Sequence, residues 1–491
     1  MPKNNNETSL LFIVIAIVGF ATYQDFSAGL SFLDKVIFLV FVLSWVLILG
    51  LVYYKNFSKQ AREKKLKIEL FKDVPLCLKE STLESVKIGI DIDHNRELFL
   101  PDHIRKRHVH ILGVTGSGKT ESVILNFLKQ DIMRGLGVII LDAKGDQSFI
   151  DYLTKNSDKA RVKIFDLSDA QSTGYDPLNE GSPLESAQRL FSSMTWSEEY
   201  YKSKAYSALQ AAFSYHFQQT QKNPNLMDLK RYFTTHTLLA EILGISNQSK
   251  SFDTEYNDLS GLRDQLSGLS IGHLEKILSP SGSENKLSLS EVFDGKILYF
   301  RLQSLLSPQA VAVIGKLIIQ NINFLTGAAH RKTSSSHQIV PIYLDEFATF
   351  ASPEFADLIS KARSAGFALH FSHQSNGELI EVSKGFLSRI TDNSATQIIL
   401  RVNDPDTAEF YSRAFGTKLY NKVTQRVTNT LDHDAGENTG EGSMREAHQF
   451  RSSPDHFKTL PTGTGSVLIA HGYKTKLGAS HVFTIQFPRL T

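Results

Sequence analysis

The sequence predicts an α/β fold with a mostly parallel central sheet, interrupted by an all-α insertion and preceded by a two-helix transmembrane anchor. Three observations carry this. From residue 108 onward, short apolar runs alternate with stretches at helical spacing; the first of these runs opens into a glycine-rich loop followed by a helical pattern; and two nearly charge-free stretches precede residue 55.

The N-terminal stretches are "SLLFIVIAIVGFATY" from Ser9 to Tyr23 and "VIFLVFVLSWVLILGLVYY" from Val36 to Tyr54. The second is close to the length of a membrane span, and the first is shorter, a length that also fits an interfacial or signal-type segment. Their connector carries Asp25, Asp34 and Lys35, whereas Lys3 precedes the pair and Lys55, Lys59, Arg62, Lys64, Lys65 and Lys67 follow it. The positive-inside rule then puts both ends in the cytoplasm. Across all 491 residues, the 41% apolar content is that of a folded protein and excludes general disorder. A formal charge of +2 decides nothing about a nucleic-acid partner, because a ring or channel can gather basic groups locally. The single cysteine, Cys77, excludes an intrachain disulfide and a cysteine-based zinc site, and it fits a reducing compartment.

Strands are predicted at "HVHILGV" from 108, "GVIILDA" from 137, "RVKIFDL" from 161, "KILYFRL" from 296, "IVPIYLDE" from 339, "FALHFSH" from 367, "ATQIILRV" from 395, "SVLIAHG" from 466 and "HVFTIQF" from 481. Several are near-continuous apolar runs, as buried parallel strands require. Between Pro183 and Leu287 the pattern becomes helical, in "LESAQRLFSSM", "YYKSKAYSALQAAFSYHFQ" and "MDLKRYFTTHTLLAEIL". Two polar, glycine- and serine-rich segments, from 327 and from 426, read as mobile loops.

Gly113-Val114-Thr115-Gly116-Ser117-Gly118-Lys119-Thr120 fits a phosphate-binding loop, with a strand before it and an apolar-periodic helix after it. Its glycines let successive N–H groups face a triphosphate, Lys119 adds a mobile positive charge, and Thr120 offers a hydroxyl to Mg²⁺. In "IVPIYLDEFATF", Asp345 ends a buried strand, where it can hold a magnesium-bound water, and Glu346 can polarise the attacking water of an ATP hydrolase. This divides the chain into a hairpin at 1–55, a juxtamembrane linker and domain start at 56–105, a nucleotide-binding domain at 106–182 and 289–491, and the helical insertion at 183–288. "LDAKGDQSF" places Asp142, Lys144, Gly145 and Asp146 at a strand end, equally suited to a ligand edge or to a plain turn. Gln374 ends another strand and can hydrogen-bond a γ-phosphate or a water. Arg363, Arg389, Arg401 and Arg413 are each candidates to reach a neighbouring subunit's phosphate. His103, His108 and His110 lack carboxylate or cysteine neighbours at ligand spacing, and alternation along a strand accounts for the last two.

The ordered set "HVHILGVTGSGKTES", "VIILDAKGD", "FDLSDAQSTGYDPLN", "IYLDEFATF", "KARSAGFALHFSHQS" and "ILRVNDPDTAEFYSRAFG" resembles the successive motifs of type IV coupling proteins of the TraD/TraG kind. The resemblance extends to the paired N-terminal helices, the insertion and "SSPDHFKTLPTGTGSVLI"; "KARSAGFALHFSHQS" is also similar to FtsK and HerA motors. It implies a RecA-like P-loop ATPase domain using ATP and Mg²⁺, hexameric when active. It also implies a multi-pass anchor in the bacterial inner membrane and an ATPase domain in the cytoplasm. Its partners would be single-stranded DNA with bound relaxase and the proteins of a type IV secretion channel. Lys119 and Thr120 match the family's phosphate and Mg²⁺ ligands, Asp345 and Glu346 its acid pair, and Gln374 its polar sensor; among the four arginines, apart from the resemblance, Arg363 is taken as the catalytic one. Ala143 and Asp146 depart from the family, which often has Pro and Glu there. A sequence-blind motor should grip phosphates through basic groups without a groove-reading helix, and Lys202, Lys204, Lys230 and Arg231 are the candidates in the insertion. Two other readings stay open: a membrane docking platform for protein substrates, and a double-strand pump of the FtsK or HerA type.

Overall fold

The computed structural model describes Ser44 and residues 78–488, apart from 281–284, 305–307, 332–337, 429–436 and 471–479. Apart from Ser44, the expected membrane hairpin therefore lies outside the described residues. Residues 74–491 form one compact unit.

An eleven-stranded sheet organises that unit, in the order β2-β1-β13-β12-β9-β3-β8-β7-β4-β6-β5. The strands are β1 (Ser85–Asp91), β2 (Arg96–Pro101), β3 (Val109–Leu112), β4 (Val138–Asp142), β5 (Val162–Asp166), β6 (Ile297–Arg301), β7 (Val340–Asp345), β8 (Phe367–His373), β9 (Thr396–Ile399), β12 (Thr464–Ala470) and β13 (Ser480–Gln486). From β9 to β5 every neighbouring pair is parallel, whereas β9, β12, β13, β1 and β2 pair antiparallel. The parallel strands are the near-continuous apolar ones, and β3, β4, β7 and β8 are buried at every position, because helices cover both faces. The fold is thus the expected α/β class with a mostly parallel centre, widened by an antiparallel wing.

β1 and β2 fall in the segment 56–105, read as a juxtamembrane linker and domain start, where no strand was named. Their sequences mix charged and apolar residues, as an edge hairpin with one wet face does. The region from 426, read as a loop, is largely a two-stranded ribbon of β10 (Thr417–Thr428) and β11 (Glu437–Phe450), paired antiparallel and joined to no other strand. Its polarity hid it from a reading that looked for apolar alternation. The region from 327 is also corrected at its start, since residues 327–331 complete the helix Pro308–Arg331. That helix is long and apolar enough to cross a membrane by composition, but two thirds of its apolar window is packed inside the protein.

Between Pro183 and Leu278 the chain is helical, beginning with a helix from Pro183 to Ser193. Ser182 caps its start by a reciprocal hydrogen-bond box with Glu185, and Pro183 takes the position where a missing N–H costs nothing. Phe213, Leu229 and Phe252 of this region share one continuous core with Leu141, Phe300 and Leu344 of the sheet.

Candidate nucleotide site

β3 delivers the glycine loop to the carboxyl edge of the parallel strands, between the ends of β9 and β8. This is the edge where open α/β sheets collect ligands. Gly116 and Gly118 have φ of 74° and 101°, a region that side chains avoid, and this lets the loop curl back over the start of the next helix. That helix opens with wide turns from Lys119 to Ile124 and continues as α1 (Leu125–Met133). Lys119 is buried; its Nζ donates to the Gly113 carbonyl at 2.7 Å and stands 3.8 Å from Glu346 Oε1.

The two residues expected to share Mg²⁺ meet directly, with Thr120 Oγ1 donating to Asp345 Oδ2 at 2.7 Å. Both are hard oxygen donors at the floor of an anion-binding loop, which fits a Mg²⁺ that keeps most of its waters. Asp345 ends β7 and is 1% exposed; its other oxygen accepts from Ser372 Oγ on β8 and from the Glu346 N–H at 3.2 Å. Ser372 Oγ in turn accepts from that same N–H at 3.2 Å, so one hydroxyl holds both members of the acid pair. Glu346 itself sits at φ 50°, a left-handed conformation that lifts its side chain out of strand geometry.

Gln374 closes the arrangement: its Nε2 donates to Glu346 Oε2 at 3.1 Å and its Oε1 accepts from Thr115 Oγ1 at 2.9 Å. Thr115, Gln374, Glu346 and Lys119 therefore form a chain of polar contacts from the loop to the acid and back. Burial pushes the Glu346 carboxyl above the usual glutamate range, against the pull of Lys119 and the Gln374 hydrogen bond, with Asp345 and Glu378 adding to the rise. A carboxyl so placed holds or releases a proton nearer neutrality, which suits a group that polarises water.

Asp142 is a turn anchor. Its carboxylate accepts from the N–H groups of Lys144, Gly145 and Asp146 at 2.8–3.0 Å and from the Tyr299 hydroxyl at 2.9 Å. Burial and the neighbouring Asp345 push it up to about 6. Lys144 and Asp146 pair with each other at 2.8 Å.

Of the arginines, Arg363 is exposed in the turn before β8, at the opposite end of that strand from Gln374. Seven residues of strand, about 23 Å, separate the two ends, too far for Arg363 to serve the phosphates of its own chain. Arg401 lies instead beside the loop, its carbonyl accepting from the Val114 N–H at 2.9 Å. Arg389 pairs with Asp357 and Arg413 with Glu409. Strand alternation is not what places His108 and His110, since β3 is covered on both faces. His108 bridges the Ile359 carbonyl and the Leu369 N–H, and His110 Nε2 meets His373 Nε2 at 2.6 Å. His103 is exposed, and no group of metal-ligating side chains occurs among the described residues.

In the helical region, Lys202 pairs with Glu199, Lys204 with Glu255 and Lys230 with Glu275, while Arg231 lies over the Tyr232 ring. Three of these four cations thus stand beside a glutamate. Ser372 was not singled out in the sequence, nor were Thr462 and Gly463, whose segment touches the loop from the far end of the chain. The Gly463 N–H donates to the Ser117 carbonyl at 3.0 Å and Thr462 Oγ1 to the Gly116 carbonyl at 3.3 Å.

Two family models match. One, described as the type IV secretion-system coupling protein DNA-binding domain, covers residues 96–257; the other, the TraM recognition site of TraD and TraG, covers residues 340–461. Both matched segments are domains of type IV coupling proteins, and the chain is similar to that family over both of them. Its sequence is 22% identical over 410 residues to the type 4 coupling protein DotL of Legionella pneumophila, spanning 68% of this chain and 52% of that one. It is 23% identical over 312 residues to the DNA import protein CedB of Sulfolobus acidocaldarius, spanning 63% and 47%. The chain thus spans about half the length of the curated relatives it matches. Among solved structures, the unbound conjugative coupling protein TrwBdeltaN70 superposes with a TM-score of 0.62 at 15% identity, covering 84% of this chain and 90% of that one. TrwB in complex with ADP and Mg²⁺ superposes at 0.61, with 16% identity and 84% and 91% coverage. At these identities the likeness shows a shared fold.

Proposed function

We propose that this protein is a membrane-anchored ATPase that couples a relaxase-bound single strand of DNA to a type IV secretion channel and drives its transfer by ATP hydrolysis. The observation that carries the reading is the convergence of Lys119, Thr120, Asp345, Glu346 and Gln374 at the mouth of one glycine loop. In this reading Gly113–Thr120 bind the β- and γ-phosphates through backbone N–H groups, and Lys119 leaves the Gly113 carbonyl for the phosphate oxygens. When bound, Mg²⁺ supplies charge neutralisation between the phosphates, and Thr120 and Asp345 are the residues that would hold it. Glu346 accepts the proton of the attacking water at its carboxylate, while Gln374 and Ser372 fix its direction. Arg363 faces away from its own loop, a placement that suits action on a neighbouring subunit in a homo-hexamer. The coupling-protein family and the TrwB complex with ADP and Mg²⁺ support the choice of ATP and Mg²⁺ and of a DNA load. The two N-terminal apolar stretches would hold the chain in the bacterial inner membrane, with residues 56–491 in the cytoplasm and the helical segment 183–288 toward the relaxosome.

ATP turnover with and without single-stranded DNA tests this. The wild type should hydrolyse ATP faster with DNA present, and Lys119→Ala should lose activity in both conditions. Turnover that depends on Lys119 and ignores DNA would favour a switch for protein docking over a DNA motor.

A further inference from the structure

Two buried imidazoles close behind the glycine loop have no role in the hydrolytic scheme above. His110 lies in β3, three residues before Gly113, and His373 ends β8 next to Gln374; neither ring is exposed. Their Nε2 atoms approach to 2.6 Å, with ring planes 10° apart and centroids 4.8 Å apart. Nitrogens that close at that centroid separation put the rings edge to edge, as an N–H···N hydrogen bond requires. Burial pushes His373 down to about 4 and His110 well below the ordinary histidine range, so both rings stay uncharged at neutral pH. A neutral imidazole has one donor and one acceptor nitrogen. His373 Nδ1 faces the Ser375 carbonyl at 2.9 Å and must donate there, which leaves its Nε2 as acceptor and assigns the shared proton to His110 Nε2. His110 Nδ1 is then a bare acceptor, and it has no hydrogen-bond partner among the described residues.

These contacts enclose Gln374. The His373 ring reaches past Gln374 to the Ser375 carbonyl, and the His373 carbonyl accepts from the Gly113 N–H at 3.3 Å. Glu378 Oε2 accepts from the N–H groups of Gln374 and Ser375 at 3.0 and 3.3 Å. His110 holds the remaining edge of the His373 ring. We infer that His110 and His373 are a positioning pair: a fixed N–H···N hydrogen bond between β3 and the end of β8 aims Gln374 at Thr115 and Glu346. The inference rests on the ATPase reading above. It adds His110, whose ring contacts are with Phe371, His373 and Tyr411 and which therefore acts through its neighbour. Two imidazoles suit the task because an apolar pair would fill the same space and leave the exit of β8 free to turn. The cost of burying His110 Nδ1 without a partner falls at a place where the Nε2 bond offsets it and sets a direction.

Steady-state ATP turnover and calorimetric MgATP binding on the full chain test the assignment. His110→Leu removes the donor and should lower kcat by about tenfold or more, with MgATP affinity within about threefold of wild type. His110→Gln returns an N–H near the position of Nε2 and should recover most of the rate. In a Gln374→Ala background, His110→Leu should lower kcat by less than about twofold further, since a residue that acts through Gln374 has nothing left to position. A kcat for His110→Leu within about twofold of wild type, an equal loss with and without Gln374, or no recovery by glutamine would each overturn the pair. A wild type without ATP turnover would overturn the nucleotide reading together with it. NMR of the wild type with nitrogen-labelled histidine does not depend on how the variants fold. A coupling across N–H···N between two neutral rings, one protonated at Nδ1 and the other at Nε2, supports the pair; the absence of such a coupled pair overturns it.

Discussion

Ser372→Ala isolates what holds the acid pair in place. The Ser372 hydroxyl donates to Asp345 Oδ1 and accepts from the Glu346 N–H, and it touches neither Lys119 nor Thr120 in the hydrogen-bond pattern of the site. A hydrogen bond to an ionised group contributes about 1.5–3 kcal/mol. If that positioning is needed mainly in the transition state, its loss lowers kcat by about ten- to a hundredfold at 1.36 kcal/mol per decade. Nucleotide affinity should stay within about threefold, because the glycine loop, Lys119 and Thr120 are untouched. Steady-state ATP hydrolysis, paired with calorimetric binding of ADP and Mg²⁺ and a thermal melt, separates these effects. A kcat within about twofold of wild type in a well-folded variant would refute the claim that Ser372 positions the pair.

Three further outcomes follow from the same geometry. The raised Glu346 carboxyl gives the rate an acid limb: activity needs the ionised form, so it falls as pH drops, with an apparent midpoint above the ordinary value of 4.5. An acid limb below that value would contradict the role. Asp131→Ala leaves the fully buried Arg105 without the carboxylate that receives two of its N–H bonds, at 2.9 and 2.6 Å, and should cost about 3–5 kcal/mol in denaturant unfolding. Because Lys202, Lys204 and Lys230 are each paired with a glutamate, their joint replacement by alanine should change the salt dependence of DNA binding little; a large drop in slope would restore them as phosphate contacts.

Local chemistry made the centre of this molecule legible. The glycine loop, Thr120, Asp345 and the buried strands announce themselves through composition and order, because a parallel strand covered on both faces must be apolar throughout. Gln374 was readable through its strand-end position and its family resemblance, and the structure adds its bridge between Thr115 and Glu346. Ser372 was hidden, since a serine inside an apolar strand gives no sign of which neighbour it bonds. Thr462 and Gly463 were hidden for another reason: they reach the loop across more than three hundred residues of chain, through antiparallel strands whose register no local pattern states. The ribbon of β10 and β11 escaped because its residues are polar, and polar strands look like loops until their partner is known.

The central claim is that ATP hydrolysis at this loop moves DNA. Its most direct measurement is DNA transfer between cells carrying the wild-type protein or Glu346→Gln, with nucleotide binding measured on the same variant. The glutamine variant should retain MgATP binding, hydrolyse it about a hundredfold or more slowly, and transfer DNA correspondingly less. Normal transfer by a variant that binds ATP and does not hydrolyse it would show that hydrolysis at this loop does not drive DNA movement.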